Sequence, residues 1–196
     1  MTDTVNISFE RDALGGVISK GQSSYFANSK MRDPTGYLLV FYHGDKHLDK
    51  TYFNCERGPV YFSEVKGYAD EYAYDAKNDK AGLTYAVYLH ITNPLRSLTQ
   101  ECIDYLESMR IIGKNQFRVG DAISTFIVDE HDRKYRFYEW LKKNTNYDGI
   151  MVSEGLTPTH KGKYGEKADV AIIPFSSNQV KFTSNKKPTL SLYSDK

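Results

Sequence analysis

Short runs of strand-forming residues lie toward both ends of this chain, and stripes with helical spacing lie between them. The run at residues 37–42 is almost continuously apolar, which is typical of a strand buried on both faces. We expect this strand to end at His43, directly before Gly44. Further strand candidates are rich in β-branched and aromatic residues and lie at 60–62, 84–91, within "NYDGIMV", at 168–175 and in "QVKF". Strands at both ends with helices between them predict an α+β sheet fold.

A helix is predicted directly after the strand candidate at 60–62. Apolar and aromatic side chains recur there at helical spacing, at Val65, Tyr68, Ala69, Tyr72 and Ala73. Ser63 precedes them and is placed to accept a hydrogen bond as the N-cap of the helix. The pattern therefore indicates a strand that leads straight into a helix.

Two more helices are predicted in the middle of the chain. Ser97 and Gln100 have the spacing of a capping box. They are followed by one apolar stripe, formed by Leu98, Cys102, Tyr105, Leu106 and Met109. A further helix over residues 132–143 has lysines near its C-terminus, where positive charge suits the helix dipole.

Composition excludes several classes of protein. With 26 Lys and Arg against 25 Asp and Glu, the formal net charge is +1, so no global field draws the chain to nucleic acid or membrane. No run approaches the roughly 20 apolar residues of a membrane-spanning helix, and the N-terminus lacks the pattern of a signal peptide. Cys55 and Cys102 fit no metal spacing and are too few for a disulfide framework. We expect a soluble cytoplasmic protein.

The length of the chain favours a single domain, because 196 residues provide one sizeable core but hardly two. Residues 1–28 are polar and rich in Gly, Ser and Asn, and they predict an irregular N-terminal region with room for one short helix. The domain itself is expected at 29–185. The polar residues 186–196 predict a loosely held C-terminal tail.

Several blocks of sequence occur together in a fixed order. They are "NSKMRDPTGYLLVFYHGD", "GPVYFSEVKGYADEYA", "YAVYLHITNPL", "NYDGIMV" and "AIIPFSSNQVKFTSN". This order and spacing resemble the ADP-ribosyltransferase domain of polyvalent proteins from phages and mobile elements. That domain belongs to the His-Tyr-Glu clade, which includes diphtheria toxin and the poly(ADP-ribose) polymerases. The resemblance covers about residues 29–185 and implies a split β-sheet core with flanking helices.

The resemblance implies that NAD is the co-substrate and that no metal is needed. By position, His43 would hydrogen-bond a ribose of NAD and also serve catalysis. The backbone of Gly44 would hold the nicotinamide amide, since a residue without Cβ allows close approach. Tyr61, also a catalytic candidate, and Tyr72 would flank the nicotinamide ring, because two phenol rings can stack on a flat heterocycle.

The third motif of the family is a glutamate that stabilises positive charge developing on the ribose. Aligning "FSSNQVK" without gaps places Ala171 at that position. Asp169 lies two residues earlier, on the same face of a strand, and is the first candidate to replace the glutamate. Gln179 is the second candidate, and Glu166 is a looser one. The competing interpretations are a surface aspartate at the entry to a strand and a glutamine that caps backbone at a turn.

The resemblance implies mono-ADP-ribosyl transfer: cleavage of NAD and transfer of ADP-ribose to a protein, RNA or DNA acceptor. A toxin or effector in phage–bacterium conflict is expected, with an antitoxin as a further partner and no membrane partner. Lys161, Lys163 and Tyr164, on a loop predicted to be exposed, are candidates for contacting an anionic acceptor. The alternatives are a catalytically impaired NAD-binding protein and an interaction domain with a vestigial cleft.

Overall fold

A computed structural model of the chain describes residues 10–75, 79–129 and 135–190. The described strands are β1 (Phe41–Asp45), β2 (Phe62–Ser63), β3 (Tyr74–Asp75), β4 (Lys80–Ala81), β5 (Leu83–Leu89), β6 (Pro94–Leu95), β7 (Ile123–Ser124), β8 (Gly149–Ser153), β9 (Val170–Pro174) and β10 (Val180–Phe182). The described helices are α1 (Lys20–Tyr25), α2 (Lys66–Ala73), α3 (Gln100–Ser108), α4 (Thr125–Asp129), α5 (Arg136–Asn144) and α6 (Pro158–Tyr164). Short 3-10 helices cover Glu166–Asp169 and Ser177–Gln179.

One mixed sheet organises the fold. Its strand order is β10-β5-β1-β2-β9-β8-β6, and β7 also pairs with β8. The pairs from β10 through to β8 are antiparallel, whereas β6 and β7 run parallel to β8. A separate pair is formed by β3 and β4. The predicted α+β fold is confirmed.

The sheet opens between β1 and β2. β1 pairs with β5 along all of Phe41–Asp45, but it pairs with β2 through Tyr42 and Ser63 alone. β2 continues the sheet on its other side, where Ser63 pairs with Ala171 of β9. The two strands therefore separate within a residue or two of their single paired position.

The core lies on both sides of this opening. One buried cluster joins α3, α4 and α5 to β8 and β9, with Leu106, Phe137 and Leu141 fully buried. A second cluster fills the space around β1, β2 and β5 and includes Phe53 and Phe62. Each buried ring or branched side chain contributes about 1.5–3 kcal/mol to the free energy of folding, so the opening lies between two well-packed regions.

The strand predicted at residues 37–42 begins and ends later in the structure. β1 runs from Phe41 to Asp45, so the prediction that the strand ends at His43 is wrong. The pairing with β5 explains the difference, because it continues opposite His43 as far as Leu83. The preceding residue Leu38 instead forms isolated bridges with other segments. His43 therefore has the orientation of a strand residue.

The predicted helix caps differ from the observed ones. Val65 occupies the N-cap position of α2, and the Ser63 hydroxyl accepts a hydrogen bond from the Val65 N–H at 3.1 Å. Thr99, not Ser97, caps α3, and its hydroxyl accepts from the Cys102 N–H. These differences arise because a cap is defined by where the backbone turns into the helix.

Two segments bear on the predicted domain limits. Residues 1–9 of the predicted N-terminal region lie outside the described residues. The described part contains the short helix α1, which begins with a capping box in which Ser19 is the N-cap, and Phe26 after it is fully buried. The helix predicted over 132–143 is observed as α5, which starts at Arg136; residues 132–134 lie outside the described residues, as do 191–196 of the predicted tail.

Candidate active site

A cavity of about 310 Å³ lies where β1 and β2 separate. Its walls come from β1, the segment leading into β2, α2, α4, the end of β8 and β9. The lining residues are Tyr42, His43, Gly44, Lys50, Pro59, Val60, Tyr61, Phe62, Ser63, Tyr68, Ala69, Tyr72, Thr125, Asp129, Glu154 and Ala171. Its size and mixed aromatic and polar walls are typical of a site for part of a small-molecule ligand.

His43 is held by contacts on both sides of its ring. Its Nδ1 donates a hydrogen bond to the carbonyl oxygen of Tyr61 at 2.8 Å, and a carbonyl only accepts, so this nitrogen carries the hydrogen. The ring also packs against Phe53 and Phe62, with centroids 5.2 and 5.4 Å away. Nε2 lies 3.6 Å from Asp45 Oδ2. The bridge to Tyr61 spans the opening between the two strands.

Asp45 has a second partner in Lys50. The Lys50 Nζ lies 2.5 Å from Asp45 Oδ2. Burial alone would raise the pKa of Asp45, but its hydrogen bonds with His43 and Lys50 hold that pKa well below the usual value. The positive charge of Lys50 is therefore matched by a carboxylate of the chain itself.

Gly44 allows α2 to lie directly on β1. A Cβ at this position would come within 1.9 Å of the Ala69 carbonyl oxygen and 2.8 Å of the Ala73 nitrogen, both in the helix backbone. Only glycine fits such an approach. The sequence does not reveal this packing role, because the contact with α2 depends on tertiary structure.

The backbone of Gly44 also faces the opening. The Thr183 N–H donates to the carbonyl of Ala86, so Ala86 directs its polar backbone groups away from β1. In an antiparallel ladder, opposed residues alternate between pairs that hydrogen-bond to each other and pairs that do not. Tyr42 and Ala86 form a pair of the second kind, so the backbone N–H and C=O of Tyr42 point toward β2. Gly44, two residues later, directs its N–H and C=O to the same side. Pairing with β2 is limited to Tyr42, so the N–H and C=O of Gly44 point into the space where the strands have separated.

Tyr61 and Tyr72 lie at different depths in the cavity. The Tyr61 hydroxyl donates to Asp129 of α4, and burial together with this hydrogen bond raises the pKa of Tyr61. Tyr72 is 55% exposed at the cavity mouth, and its hydroxyl lies 2.9 Å from that of Tyr68. The rings of Tyr68 and Tyr72 pack edge to face with centroids 5.4 Å apart. Phenol rings therefore line both the inner and the outer part of the cavity.

Two carboxylates line the cavity that the sequence did not single out. Asp129 ends α4, and Glu154 follows β8 directly. Glu154 Oε2 accepts a hydrogen bond from the Tyr68 hydroxyl at 3.4 Å. Burial raises the pKa of Glu154, and the nearby charge of Asp129 acts in the same direction. The signal available in the sequence was that Glu154 follows the strand predicted in "NYDGIMV", as a residue at a strand end.

Asp169 and Gln179 do not line the cavity. Asp169 accepts from the Leu156 N–H at 2.7 Å and pairs with Lys161 at 3.0 Å; burial would raise its pKa, but these contacts lower it. Gln179 is 8% exposed. Its carboxamide donates to the carbonyls of His90 and Asp148 and accepts from the N–H groups of Phe175 and Ser176. The glutamine thus joins three backbone segments, and Glu166 points to solvent with 83% of its side chain exposed.

The segment predicted to be a basic exposed loop is a helix, α6. Thr157 caps it and Pro158 occupies its first turn. Lys163 and Tyr164 both contact Glu71 of α2, the lysine at 2.9 Å. Lys161 is paired with Asp169. The lysines proposed to meet an anionic acceptor are therefore engaged by carboxylates of the chain.

The described residues also bear on metal binding and on membrane insertion. Within 10–75, 79–129 and 135–190, no group of three or more His, Cys, Asp or Glu is arranged to hold a metal ion. No helix in that part of the chain is long and apolar enough to cross a bilayer.

Comparison with known proteins supports one family. A search of curated proteins found no match, and no solved structure matched either. The family model described as "ADP-Ribosyltransferase in polyvalent proteins" matches residues 33–190, which is most of the chain. The resemblance inferred from the sequence blocks is thereby confirmed. The chain belongs to the ADP-ribosyltransferase family of polyvalent proteins.

Proposed function

We propose that this protein is an NAD-dependent mono-ADP-ribosyltransferase that acts on a macromolecular acceptor. One observation carries the proposal. A single cavity at the opening of the sheet is lined by residues of β1, of the segment that leads into β2, and of α2: His43, Gly44, Tyr61 and Tyr72. The family match depends on the order of residues along the chain, and the convergence shows that tertiary structure brings these residues together.

The cavity residues fit the nicotinamide half of NAD. Because Nδ1 of His43 donates to Tyr61, Nε2 is the nitrogen that would meet a ribose hydroxyl, in exchange for its contact with Asp45 at 3.6 Å. The N–H and C=O directed from Gly44 into the opening match the two halves of a carboxamide. The rings of Tyr61 and Tyr72 supply flat faces for the heterocycle. NAD supplies a ribose carbon with a leaving group that is already cationic and departs neutral, so the chain needs no acid to protonate it.

We expect the acceptor of the single ADP-ribose to be a protein, and the lysines of α6 are the reason. The lysines of α6 are paired with Glu71 and Asp169, which argues against their serving as a docking surface for RNA or DNA. The occurrence of the family in polyvalent proteins of phages and mobile elements supports a role as a toxin or effector in the cytoplasm of an infected or competing bacterium. An antitoxin partner belongs to the same proposal.

The second candidate function is NAD binding without turnover. It is favoured by Ala171, which lines the cavity and which the alignment without gaps places where the family has its glutamate. In that case the binding residues would act as they do in the enzyme, and nicotinamide would not be released.

The deciding experiment uses labelled NAD with a bacterial lysate that is afterwards separated into protein and RNA fractions. We expect label in the protein fraction with the wild-type chain and none with His43→Ala. Calorimetry with NAD alone accompanies the assay. Binding by the wild-type chain without labelling of either fraction would favour the second candidate, and absence of binding would refute both.

A further inference from the structure

The register of β8 and β9 places two residues of the chain on the face that carries Ala171. Val152 of β8 is paired with Ala171 of β9, so their side chains share one face of the sheet. Glu154 lies two residues beyond Val152, and the period of two keeps it on that face. The Glu154 N–H donates to the Asp169 carbonyl at 2.8 Å, which extends the ladder by one residue pair. Glu154 and Asp169 thus start from equivalent positions on neighbouring strands.

Glu154 and Asp169 differ in the contacts that their side chains make. Asp169 is turned toward the Leu156 N–H and Lys161, away from the cavity. Glu154 lines the cavity beside Ala171, and the only hydrogen bond recorded for its side chain among the described residues is a long one, at 3.4 Å, from Tyr68. No ion pair to a Lys or Arg is found for Glu154 in the part of the chain that the structure describes.

Other carboxylates near the cavity have firm partners. Asp129 accepts the hydroxyl of Tyr61, and Asp45 is paired with Lys50 at 2.5 Å. A group that assists catalysis must be able to exchange its contacts for those of the reacting atoms. Among the carboxylates at the cavity, Glu154 has the weakest contacts to give up.

We infer that Glu154 is the catalytic carboxylate of this site, supplied by β8 in place of a side chain from position 171 of β9. This inference rests on the proposed function and adds to it the residue that drives the transfer. Burial leaves Glu154 less hydrated than a surface carboxylate, so its negative charge acts strongly on positive charge nearby.

The role of Glu154 is consistent with the balance of the reaction. The bond between the ribose C1 carbon and the nicotinamide nitrogen breaks, and its electron pair leaves with neutral nicotinamide. A lone pair on an oxygen or nitrogen of the acceptor forms the new bond to the same carbon. The proton released by the acceptor passes to the Glu154 carboxylate, whose raised pKa makes it a better base than an ordinary glutamate.

The test compares the wild-type chain with Glu154→Gln and Glu154→Asp. Three quantities are measured: nicotinamide release from NAD, with water as the default acceptor; the dissociation constant for NAD by calorimetry; and Tm without NAD. We expect Glu154→Gln to reduce nicotinamide release by roughly 100-fold or more. Its affinity for NAD should be retained, and its Tm should rise because a desolvated charge is removed. Glu154→Asp should keep part of the activity.

The matched control is Glu166→Gln, which makes the same substitution at an exposed glutamate outside the cavity. It should leave all three quantities unchanged. Wild-type release of nicotinamide that Glu154→Gln does not slow would overturn the inference while the proposed function stands. NAD binding by the wild-type chain without any release would also overturn it. Absence of NAD binding would refute the proposed function itself. A loss of activity in Asp129→Asn alone would assign the role to Asp129.

Discussion

The two walls of the cavity differ in how they are assembled. His43, Gly44, Tyr61 and Tyr72 belong to β1 and to the unit that runs from β2 into α2, where short segments of sequence set their relative positions. The opposite wall, with Glu154 and Ala171, depends on the pairing of β8 with β9, which α6 separates in sequence. Motif spacing therefore identified residues on the first wall, whereas on the second it pointed to carboxylates that do not reach the cavity.

The electrostatics of the two walls differ as well. On the first wall, the hydrogen bonds with His43 and Lys50 overcome burial and lower the pKa of Asp45. On the second wall, burial dominates and raises the pKa of Glu154. The carboxylate of Asp45 is therefore stabilised by its partners, whereas the carboxylate of Glu154 is less stabilised and lies in the cavity wall. Under the proposed function, this contrast suits the first wall to binding and the second to catalysis.

Gly44→Ala should have the largest effect on the first wall. The new Cβ would lie 1.9 Å from the Ala69 carbonyl oxygen, so α2 must move away from β1. We expect a loss of about 3 kcal/mol in the free energy of unfolding, measured with urea, and loss of NAD binding. Gly162→Ala in α6 is the control, because no atom lies within 4 Å of its Cβ position. A Gly44→Ala variant as stable as the wild type would show that the close approach is not required.

Gln179→Ala tests whether Gln179 belongs to the second wall or to the framework. Its buried carboxamide bonds four backbone groups, and their loss should lower the free energy of unfolding by about 2–3 kcal/mol. NAD affinity should not change at temperatures where the variant is folded. Gln100→Ala, at an exposed position of α3, should change neither quantity. Reduced nicotinamide release by folded Gln179→Ala would restore a catalytic role for this residue.

Glu154→Gln and Asp169→Asn should shift stability in opposite directions at neutral pH. The folded-state pKa of Glu154 is raised, so its ionised form weakens the fold above that pKa, and its neutral substitute should raise Tm. The folded-state pKa of Asp169 is lowered, so its ionised form stabilises the fold, and Asp169→Asn should lower Tm. Each change should be on the order of 2–4 °C by thermal denaturation.

The pH dependence of the same pair sharpens the test. The stabilisation from Asp169 is present above its unfolded pKa and is lost as pH falls through its lower folded pKa. Activity should fall with acid through a pKa above that of an ordinary glutamate, because burial raises the pKa of Glu154 and the charges of Asp129 and Asp169 act in the same direction, which outweighs the lowering by the hydrogen bond from Tyr68. An activity profile that is flat down to the usual glutamate range would contradict the assignment of Glu154.

Tyr72→Ala should have the smallest effect on the fold and a selective effect on the ligand. Tyr72 is 55% exposed, so its removal should change the free energy of unfolding by about 0.5 kcal/mol or less. Loss of its stacking face should weaken NAD binding by about 1 kcal/mol, measured by calorimetry. Tyr74→Ala, at a similarly exposed tyrosine that does not line the cavity, is the control. Equal weakening in both variants would show that Tyr72 has no particular contact with NAD.

Local patterns predicted most of the elements and one wall of the cavity. The apolar runs located β5, β8, β9 and β10 closely, and the stripes located α2 and α3. The predicted ends of strands and helices were less accurate where they depend on contacts with neighbouring segments. β1 extends past His43 because β5 lies beside it, and α3 is capped by Thr99 because the backbone turns there. The helix α6 was missed because a short polar segment carries little periodic signal.

By itself, the sequence determined the fold class, the family and the four residues that line the first wall. The fold class follows from hydrophobic periodicity, and the family and the four residues follow from the resemblance that short blocks of sequence carry; both are patterns among neighbouring positions. Only the tertiary structure decided that Gly44 must be glycine to let α2 approach, that Gln179 joins backbone segments, and that Glu154 rather than Asp169 reaches the cavity. The physical reason is that burial, ladder register and hydrogen-bond partners are set by residues distant in the chain, which no local pattern encodes.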